Sequence, residues 1–339
     1  MSPDNMNRRL RARLSLAEVF ALGVSVSLAL YYTYLASQNQ YFPYDLQNYL
    51  NAARGDTSFY YYGYWMLPLF GALAALPESL QLGLFFIANI LATWLAARVF
   101  GGAPALAVLN YQLLYGVYYG QLTGIIIGGL ALFHWGLASR RWLLAGTGLL
   151  IGCAKFQLGV PLALALWLLS DAPWRVRLKA LIIPTVVTAL SLVIYPLWPL
   201  EVAERIMVAN PPNDWGSVSL WRWIGPLALL LWLPTLLLPM SRRRRLVAVI
   251  ATAALALPYF QQADLIALYM LPVGWLSLLG NVGFLFSTHA WYALQAVVIV
   301  PLMAYAWVIA RAWSEARQAQ PGAKLYQPVR MLVRVWPSR

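Results

Sequence analysis

The chain has 339 residues, of which 61% are hydrophobic and only 10% are charged, and its mean hydropathy is +0.64. A soluble domain of this size needs more charge to cover its surface, so the composition excludes an ordinary soluble protein. A helix that crosses a bilayer takes roughly 20 mostly apolar residues. We therefore predict an all-α polytopic membrane protein, a bundle of about 10 to 12 membrane segments with modest loops.

The net charge of +13 comes from 24 Lys and Arg residues against 11 Asp and Glu residues. In a soluble protein that balance would indicate nucleic acid, but here the basic residues form short clusters between apolar runs, as the positive-inside rule requires. The clusters lie too far apart in the chain to form one footprint, so we predict no nucleic-acid partner. Cys153 is the only cysteine, and we interpret it as a packing residue. His134 and His289 have no second ligand at a metal-binding spacing, so we predict no metal and no other cofactor.

The first apolar run, Leu14–Ala36, follows a basic N-terminus, residues 1–13. The run is too long for the core of a signal peptide, so it predicts an uncleaved first helix with a cytoplasmic N-terminus. Residues 14–312 then form the transmembrane domain, with the first outer loop at residues 37–63. Residues 313–339 form a basic C-terminal tail.

Basic clusters at Arg140-Arg141, at Arg175, Arg177 and Lys179, and at Arg242–Arg245 mark the inner side of the membrane. An odd number of crossings must separate the first helix from Arg140. The short segment closed by Pro77 is therefore predicted to enter the membrane without spanning it, which places Asp45 and Gln121 outside. The segments before Arg140 are Tyr64–Leu76, Leu80–Arg98, Ala105–Tyr118 and Gln121–Ala138.

The second half is predicted to start with a hairpin, Trp142 to Ser170, that turns near Lys155. The basic tail should lie inside, but simple counting places it outside. One of the last three segments is therefore miscounted, and the sequence does not show which. The later segments are Leu178–Trp198, a long polar outer loop Pro199–Ser219, Leu220–Leu238, Leu246–Leu257, Leu265–Leu279 and Trp291–Ala310.

The carboxylates divide between the two predicted sides of the membrane. Most carboxylates in solvated loops are inert, so position alone assigns them no role. Those expected in the tails, near inner turns or in the first turns of the first helix are Asp4, Glu78, Asp171, Glu315 and Glu18. Those expected at the outer face are Asp45, Asp56, Glu201, Glu204, Asp214 and Asp264.

Asp45 stands out because its surroundings are short, aromatic and rich in amides. Beyond Pro43, apolar residues recur at helical spacing and Gly55 provides a natural stop, which predicts an amphipathic helix along the outer membrane surface. Asp45 would stand at the start of that helix, where backbone N–H groups favour the ionised carboxylate. Spacing alone leaves two interpretations, a plain N-cap and a working carboxylate.

Two further features of the outer side have both a structural and a functional interpretation. The tyrosine-rich stretch Phe59–Phe70 is typical of an interfacial belt, and it also suits the wall of a groove for a sugar or an isoprenoid chain. Lys155, within an apolar stretch, is either a functional intramembrane cation or a side chain that snorkels to the outer interface. Arg222 is a similar outward cation, and both would suit a phosphate.

Taken in order, these segments resemble glycosyltransferase family 87, the polyprenyl-phosphate-mannose-dependent mannosyltransferases of the GT-C fold. The resemblance covers most of Tyr41–Pro272. The family's histidine-containing stretch appears here as Leu257–Asp264 without a histidine. The matching motifs are Asp45, Tyr49, Ala52, Ala53 and Gly55; Tyr64–Leu69 up to Pro77; Gly120–Gly124; Lys155–Pro161; and Ser219–Arg222.

The resemblance implies inverting transfer of a sugar, usually mannose, from a polyprenyl-phosphate donor to a lipid or glycan acceptor. It places the reaction at the extracytoplasmic face of a bacterial plasma membrane, among membrane lipids. Asp45 would be the general base, and Lys155 and Arg222 would bind the donor phosphate. Gln47 occupies the place of the second Asp of a metal-binding pair, so the reaction would be metal-independent. The implied substrate groove contains Tyr44, Gln47, Tyr49, Tyr62, Tyr64, Gln121, Gln157, Ser219, Gln262 and Asp264.

Two other functions stay open at this level. A small-molecule transporter would show broken helices, ionisable pairs near the midplane and related halves, none of which the sequence indicates. A non-catalytic lipid-binding or assembly subunit is favoured by the short chain and the missing histidine.

Overall fold

The computed structural model describes residues 3–41, 43–209, 217–274, 276–286 and 290–318. Within these ranges the chain is helical, and the only extended pairing is an isolated antiparallel bridge between Ser217 and Gln261. The predicted all-α class is therefore confirmed for the part of the chain that the structure describes. Asp214, His289 and most of the predicted basic tail lie outside the described residues.

The helices of the first half correspond to the predicted apolar segments, except that the predicted segment Ala105–Tyr118 divides into two short helices. In chain order they are α1 (Pro3–Arg11), α2 (Leu16–Ser37), α3 (Tyr44–Ala53), α4 (Leu67–Ala74), α5 (Glu78–Phe100), α6 (Pro104–Val108), α7 (Tyr111–Tyr119), α8 (Thr123–Ala138), α9 (Trp142–Gly152) and α10 (Phe156–Leu168).

The second half is more interrupted, and 3₁₀ turns join several of its short helices. It contains α11 (Trp174–Lys179), α12 (Ile182–Ile194), α13 (Trp198–Ala209), α14 (Trp221–Ile224), α15 (Trp232–Leu237), α16 (Arg242–Ala256), α17 (Ile266–Tyr269), α18 (Leu276–Leu279) and α19 (Ala290–Gln318). The 3₁₀ turns are Tyr64–Met66, Gly225–Leu231, Gln262–Leu265 and Gly280–Phe286.

Among the described residues, three helical stretches are long and apolar enough to cross a bilayer: Leu16–Ser37, Glu78–Phe100 and Trp174–Ile194. A fourth is obtained if Pro104–Tyr119 and Thr123–Ala138, which are bent by 117° at the break between them, count as one span. This content is consistent with a membrane protein. The higher segment number stays a prediction, because the other apolar helices are shorter; they are Tyr64–Ala74, Trp142–Gly152, Phe156–Leu168, Trp221–Leu237 and Leu276–Leu285.

Helix α2 presents one face to the rest of the protein and its other faces outward. α2 buries a narrow stripe of small residues, which includes Ala21, Ser25 and Ala29, and exposes large apolar side chains such as Phe20 on its other faces. Small residues let neighbouring helices approach closely, and Ser25 Oγ donates a 2.7 Å hydrogen bond to the carbonyl of Val108. The exposed apolar faces suit contact with lipid.

One end of the bundle, which we call the basic end, is fastened by a buried ion pair. Arg98, near the end of α5, lies 2.9 Å from Glu18, in the first turn of α2. The same guanidinium donates hydrogen bonds of 3.0 Å and 2.7 Å to the carbonyls of Arg9 and Ala12. The start of α2 and the end of α5 therefore lie together. Glu78 lies in the first turn of α5, at the opposite end of that helix from Arg98.

Ion pairs also place the end of α19 at the basic end. Arg242, in the first turn of α16, contacts Asp171, and Arg244 lies 2.7 Å from Glu315. The predicted segment Leu265–Leu279 does not form one helix, because it breaks into the four-residue helices α17 and α18. Pro272 lacks an N–H group and Gly274 has a φ of +63°, so the helix cannot continue through them. The predicted continuous helix over this segment is therefore wrong, while the number of crossings and the side of the tail stay predictions.

The prediction of a polar loop over Pro199–Ser219 is wrong for its first half. Trp198–Ala209 forms α13, which buries Trp198 and Val202 one turn apart and pairs Glu201 with Arg205 at the same spacing. The charged residues there suggested solvent, but four-residue spacing lets them share one helix face.

Candidate functional site

The predicted amphipathic helix forms as α3, and Gly55, with a φ of +110°, follows its end. The helix buries Leu46, Tyr49 and Leu50, which fixes its orientation. Asp45 lies in the first turn, but the N-cap position belongs to Pro43 and carries no side-chain capping bond. The plain N-cap interpretation of Asp45 is therefore wrong.

The carboxylate of Asp45 has a partner from a distant part of the chain. Gln121 Nε2 donates a hydrogen bond to Asp45 Oδ2. α7 ends at Gly120, whose φ of +75° turns the chain, and the Gln121 backbone N–H returns to the carbonyl of Gly116 at 2.7 Å. The glycine turn between α7 and α8 thus positions the Gln121 amide against Asp45.

Lys155 occupies the turn between α9 and α10, and its side chain is only 1% exposed. Its ammonium lies 2.6 Å from Asp264 Oδ1, 2.9 Å from Gln261 Oε1 and 3.2 Å from Gln121 Oε1. Of the two alternatives open for Lys155, snorkelling to the lipid interface is excluded, since the ammonium points into the protein and meets acceptors there.

Asp264 is fully buried, although its sequence position suggested an outward loop. Its Oδ1 accepts from Lys155 and from the hydroxyl of Thr123, which lies 2.9 Å away. Its Oδ2 has no hydrogen-bond partner within the described residues. Because an isolated buried charge is very unfavourable, Lys155 and Asp264 depend on each other for compensation.

These contacts form a continuous series, Asp45–Gln121–Lys155–Asp264, which we call the polar chain. An ammonium is a donor only, so it must face the oxygen of the Gln121 amide. That orientation leaves the Gln121 NH₂ group to donate to Asp45. The ammonium of Lys155 thereby determines which end of the amide the carboxylate meets.

Asp45 and Gln121 open onto a cavity of about 740 Å³. Its other polar wall residues are amides, Asn48, Gln157 and Gln261. Most of the remaining wall is aromatic or aliphatic, a combination that suits a ligand with both apolar faces and hydroxyl groups. These residues are Tyr44, Tyr49, Phe59, Tyr61, Tyr62, Phe156, Val160, Pro161, Ile206, Leu257, Pro258 and Tyr259.

Two wall tyrosines form a pair beside Asp45. The hydroxyl groups of Tyr49 and Tyr62 lie 3.0 Å apart, and their rings pack edge to face with centroids 5.1 Å apart. Burial raises the pKa of both phenols, with the charge of Asp45 acting in the same direction. Both hydroxyl groups therefore stay protonated at neutral pH and add no charge to the wall.

The predicted site residues fall into three groups. The wall contains Asp45, Tyr44, Tyr49, Tyr62, Gln121 and Gln157. Lys155 and Asp264 lie behind the wall in the polar chain, and Lys155 faces Gln121 and Gln261 rather than the cavity. This geometry corrects the picture of Lys155 as a cation presented directly to a donor phosphate.

The remaining predicted groove residues lie outside the cavity wall, and most of their contacts are structural. Gln47 donates to the side chain of Asn51 at 3.1 Å. Ser219 is buried and donates to the carbonyl of Leu257, and Gln262 is buried in the 3₁₀ turn before α17. Arg222 lies in α14, three residues after Ser219.

Tyr64 belongs to a second polar cluster, which sequence reasoning missed. Arg205 donates to the Tyr64 hydroxyl at 2.8 Å, to Glu201 at 3.0 Å and to the Thr57 hydroxyl at 3.0 Å. The cluster fastens α13 to the outer loop, next to the wall residue Ile206. The four-residue spacing of Glu201 and Arg205 was the available signal.

Gln261 and Thr123 were also missed, although both contact the Lys155–Asp264 pair. Gln261 stands three residues before Asp264 in an otherwise apolar stretch, which is a weak signal. No cluster of three or more His, Cys, Asp or Glu side chains suited to a metal occurs among the described residues. Comparison with models of protein families, with curated proteins and with solved structures finds no match to this chain.

Proposed function

We propose that the chain is a membrane glycosyltransferase that moves a sugar, which we take to be mannose, from a polyprenyl-phosphate donor to a lipid or glycan acceptor with inversion. The observation that supports this most is the carboxylate of Asp45 in the wall of a 740 Å³ cavity lined by aromatic rings and amides. Aromatic faces stack on sugar rings, and amides hydrogen-bond to sugar hydroxyls.

In the proposed reaction, Asp45 accepts the proton of an acceptor hydroxyl while that oxygen attacks the anomeric carbon of the sugar. The bond between the anomeric carbon and the phosphate oxygen breaks, and its electron pair leaves with the polyprenyl phosphate. The phosphate departs as a stable anion and needs no general acid. The N-terminal turn of α3 favours an ionised carboxylate at position 45.

The donor phosphate needs a cation, and the charge of Lys155 is largely offset by Asp264. We assign phosphate binding chiefly to Arg222. Ser219 bonds to the carbonyl of the wall residue Leu257, which brings the start of α14 close to the cavity. In this proposal Lys155 acts on the site through Gln121 and Gln261.

We place the cavity on the extracytoplasmic side of a bacterial plasma membrane, with the N-terminus in the cytoplasm. The clusters at Arg140-Arg141 and Arg242–Arg245 lie at the basic end, whereas few described cations lie at the opposite end of the bundle, where the cavity is. The positive-inside rule supports this orientation. The described cations at the cavity's end of the bundle are Arg54, Lys155, Arg205 and Arg222.

The test compares Asp45→Asn with wild type in membranes supplied with labelled polyprenyl-phosphate mannose. Removal of the base should lower transfer by about 10²- to 10⁴-fold. Asp56→Asn is the matched control, because Asp56 is an exposed carboxylate of the same loop and lies outside the cavity wall. Equal transfer by Asp45→Asn and wild type would overturn the proposal. Absence of transfer by both would favour a non-catalytic lipid-binding subunit.

Transport of a small polar solute is the second candidate. The buried Lys155–Asp264 pair and the broken helices α17 and α18 favour it, and neither feature was predicted. A transporter must open its cavity to both sides of the membrane in turn. A cysteine at the wall position Asn48, introduced with Cys153→Ala, would then react with impermeant reagents from both sides, whereas the enzyme should react from one side only.

A further inference from the structure

We propose that the buried Lys155–Asp264 pair is a positioning device for Asp45 that acts through the amide of Gln121. The inference rests on the proposed role of Asp45 as a base. Neither Lys155 nor Asp264 lines the cavity, so both would act on the reaction without touching the substrate.

The geometry gives the pair a specific task. The ammonium of Lys155 is held by Asp264 at 2.6 Å and by Gln261 at 2.9 Å, and it contacts Gln121 Oε1 at 3.2 Å. A glutamine amide has nearly the same shape in both orientations, so only its hydrogen bonds decide which end faces Asp45. If Lys155 were uncharged and apolar, the amide could present its oxygen to the carboxylate, and the two acceptors would repel each other.

A purely structural role explains the pair less well. A buried ion pair contributes little to stability compared with apolar side chains of similar volume. Here the pair belongs to a series of hydrogen bonds that begins at a fully buried carboxylate and ends at the cavity wall. The charge of Lys155 therefore has a consequence at Asp45 that packing alone would not produce.

The titratable and charged groups around Asp45 determine how a substitution nearby would affect its carboxylate. Tyr41, Tyr49 and Tyr62 are the phenols whose titration responds to the Asp45 charge, and burial keeps each of them neutral. Lys155 and Asp264 reach Asp45 through the Gln121 amide. A charge placed at position 121 would thus act directly on the Asp45 carboxylate.

The decisive variant is Gln121→Glu, which can still accept from Lys155 but places a second carboxylate against Asp45. Like charges disfavour ionisation, so the titration midpoint of Asp45 should rise by about one pH unit or more. Infrared difference spectra against Asp45→Asn read this midpoint without any substrate. Gln47→Glu is the matched control, since Gln47 is two residues from Asp45 but bonds to Asn51 outside the wall. Equal midpoints in the two variants would overturn the inference.

A second variant removes the pair without leaving a buried charge. Lys155→Met with Asp264→Leu should fold, yet lower kcat by about 10- to 100-fold with a smaller change in KM, because the Asp45 carboxylate loses its fixed partner. Wild-type kcat in a folded double variant would overturn the inference.

The two measurements separate the inference from the proposed function. A shifted infrared midpoint in Gln121→Glu, together with no sugar transfer by wild type, would support the positioning of Asp45 and reject the transferase. Transfer by wild type with an unshifted midpoint would support the transferase and reject the positioning role.

Discussion

The Nζ atom of Lys155 lies 2.6 Å from Oδ1 of Asp264, and the two side chains are 1% and 0% exposed. The pair joins the turn before α10 to the 3₁₀ turn before α17. It therefore connects parts of the chain that are far apart in sequence and fixes the wall of the cavity from behind. Its energetic consequences differ from those of an ion pair at the surface.

We expect single substitutions of this pair to be much worse than the double one. Lys155→Met leaves a buried carboxylate without a compensating charge and should lower the free energy of unfolding by about 3–5 kcal/mol. Asp264→Leu leaves the ammonium without a counter-charge and should lower it by a similar amount. The double variant leaves no charge and should recover most of that loss. The stabilities of wild type, the two single variants and the double variant are compared by thermal unfolding in detergent. Additive losses would contradict the expected coupling.

The part of the site that could be predicted is the part encoded locally. Apolar spacing after Pro43 and the stop at Gly55 predict α3 to within a residue at either end. The wall position of Asp45 follows from that helix once its apolar face is buried. The tyrosine-rich stretch was left between an interfacial belt and a groove wall, and Tyr62, which the family resemblance implied as a groove residue, lines the cavity.

The parts that could not be predicted depend on tertiary contacts. Nothing near Lys155 in the sequence indicates Asp264 as its partner, because the two meet only when α10 packs beside α16. The break between α17 and α18 occurs within an apolar run whose composition is that of a membrane span. Pro272 was the main sequence feature that indicated a break there. Local patterns therefore predict helices better than they predict the contacts between them.

The second polar cluster, centred on Arg205, should keep the outer loop ordered. Arg205→Met removes donors to Thr57 and Tyr64 and an ion pair with Glu201, each at 2.8–3.0 Å. A net loss of about 1–2 kcal/mol in the local stability of the loop would speed amide hydrogen exchange over residues 57–64 by roughly tenfold. Arg54→Met is the control, since Arg54 is exposed at the end of α3. Equal exchange in both variants would show that the cluster does not order the loop.

The ion pair between Arg244 and Glu315 predicts that the end of α19 shares a side of the membrane with the start of α16. In a Cys153→Ala background, Ser241→Cys and Ser314→Cys should react with an impermeant maleimide only after permeabilisation. Ser58→Cys, exposed in the outer loop, should react in intact cells. Opposite labelling of Ser241→Cys and Ser314→Cys would contradict the fold of the last helix.

The pair formed by Asp171 and Arg242 at the basic end should make stability depend on acid pH. Hydrogen bonds from Arg242 hold the pKa of the Asp171 carboxyl below its ordinary value. A lowered folded-state pKa means that the stabilisation is complete above the unfolded pKa, near about 4, and disappears as the pH falls through the folded value. The Asp171 side chain is 74% exposed, so solvent screening keeps the contribution within about 1 kcal/mol.

The measurement is the difference in Tm between wild type and Asp171→Asn across pH. The difference should be constant between about pH 5 and pH 7, shrink as the carboxylate of wild type becomes protonated, and approach zero at the most acid pH. Added salt should reduce it at neutral pH, because salt screens exposed charges more than buried ones. The buried Lys155–Asp264 pair provides the contrast, since salt should leave its coupling energy nearly unchanged. A Tm difference that grew on acidification would mean that Asp171 is destabilising in the folded protein, and the ion pair would then not hold α16 to the end of α10.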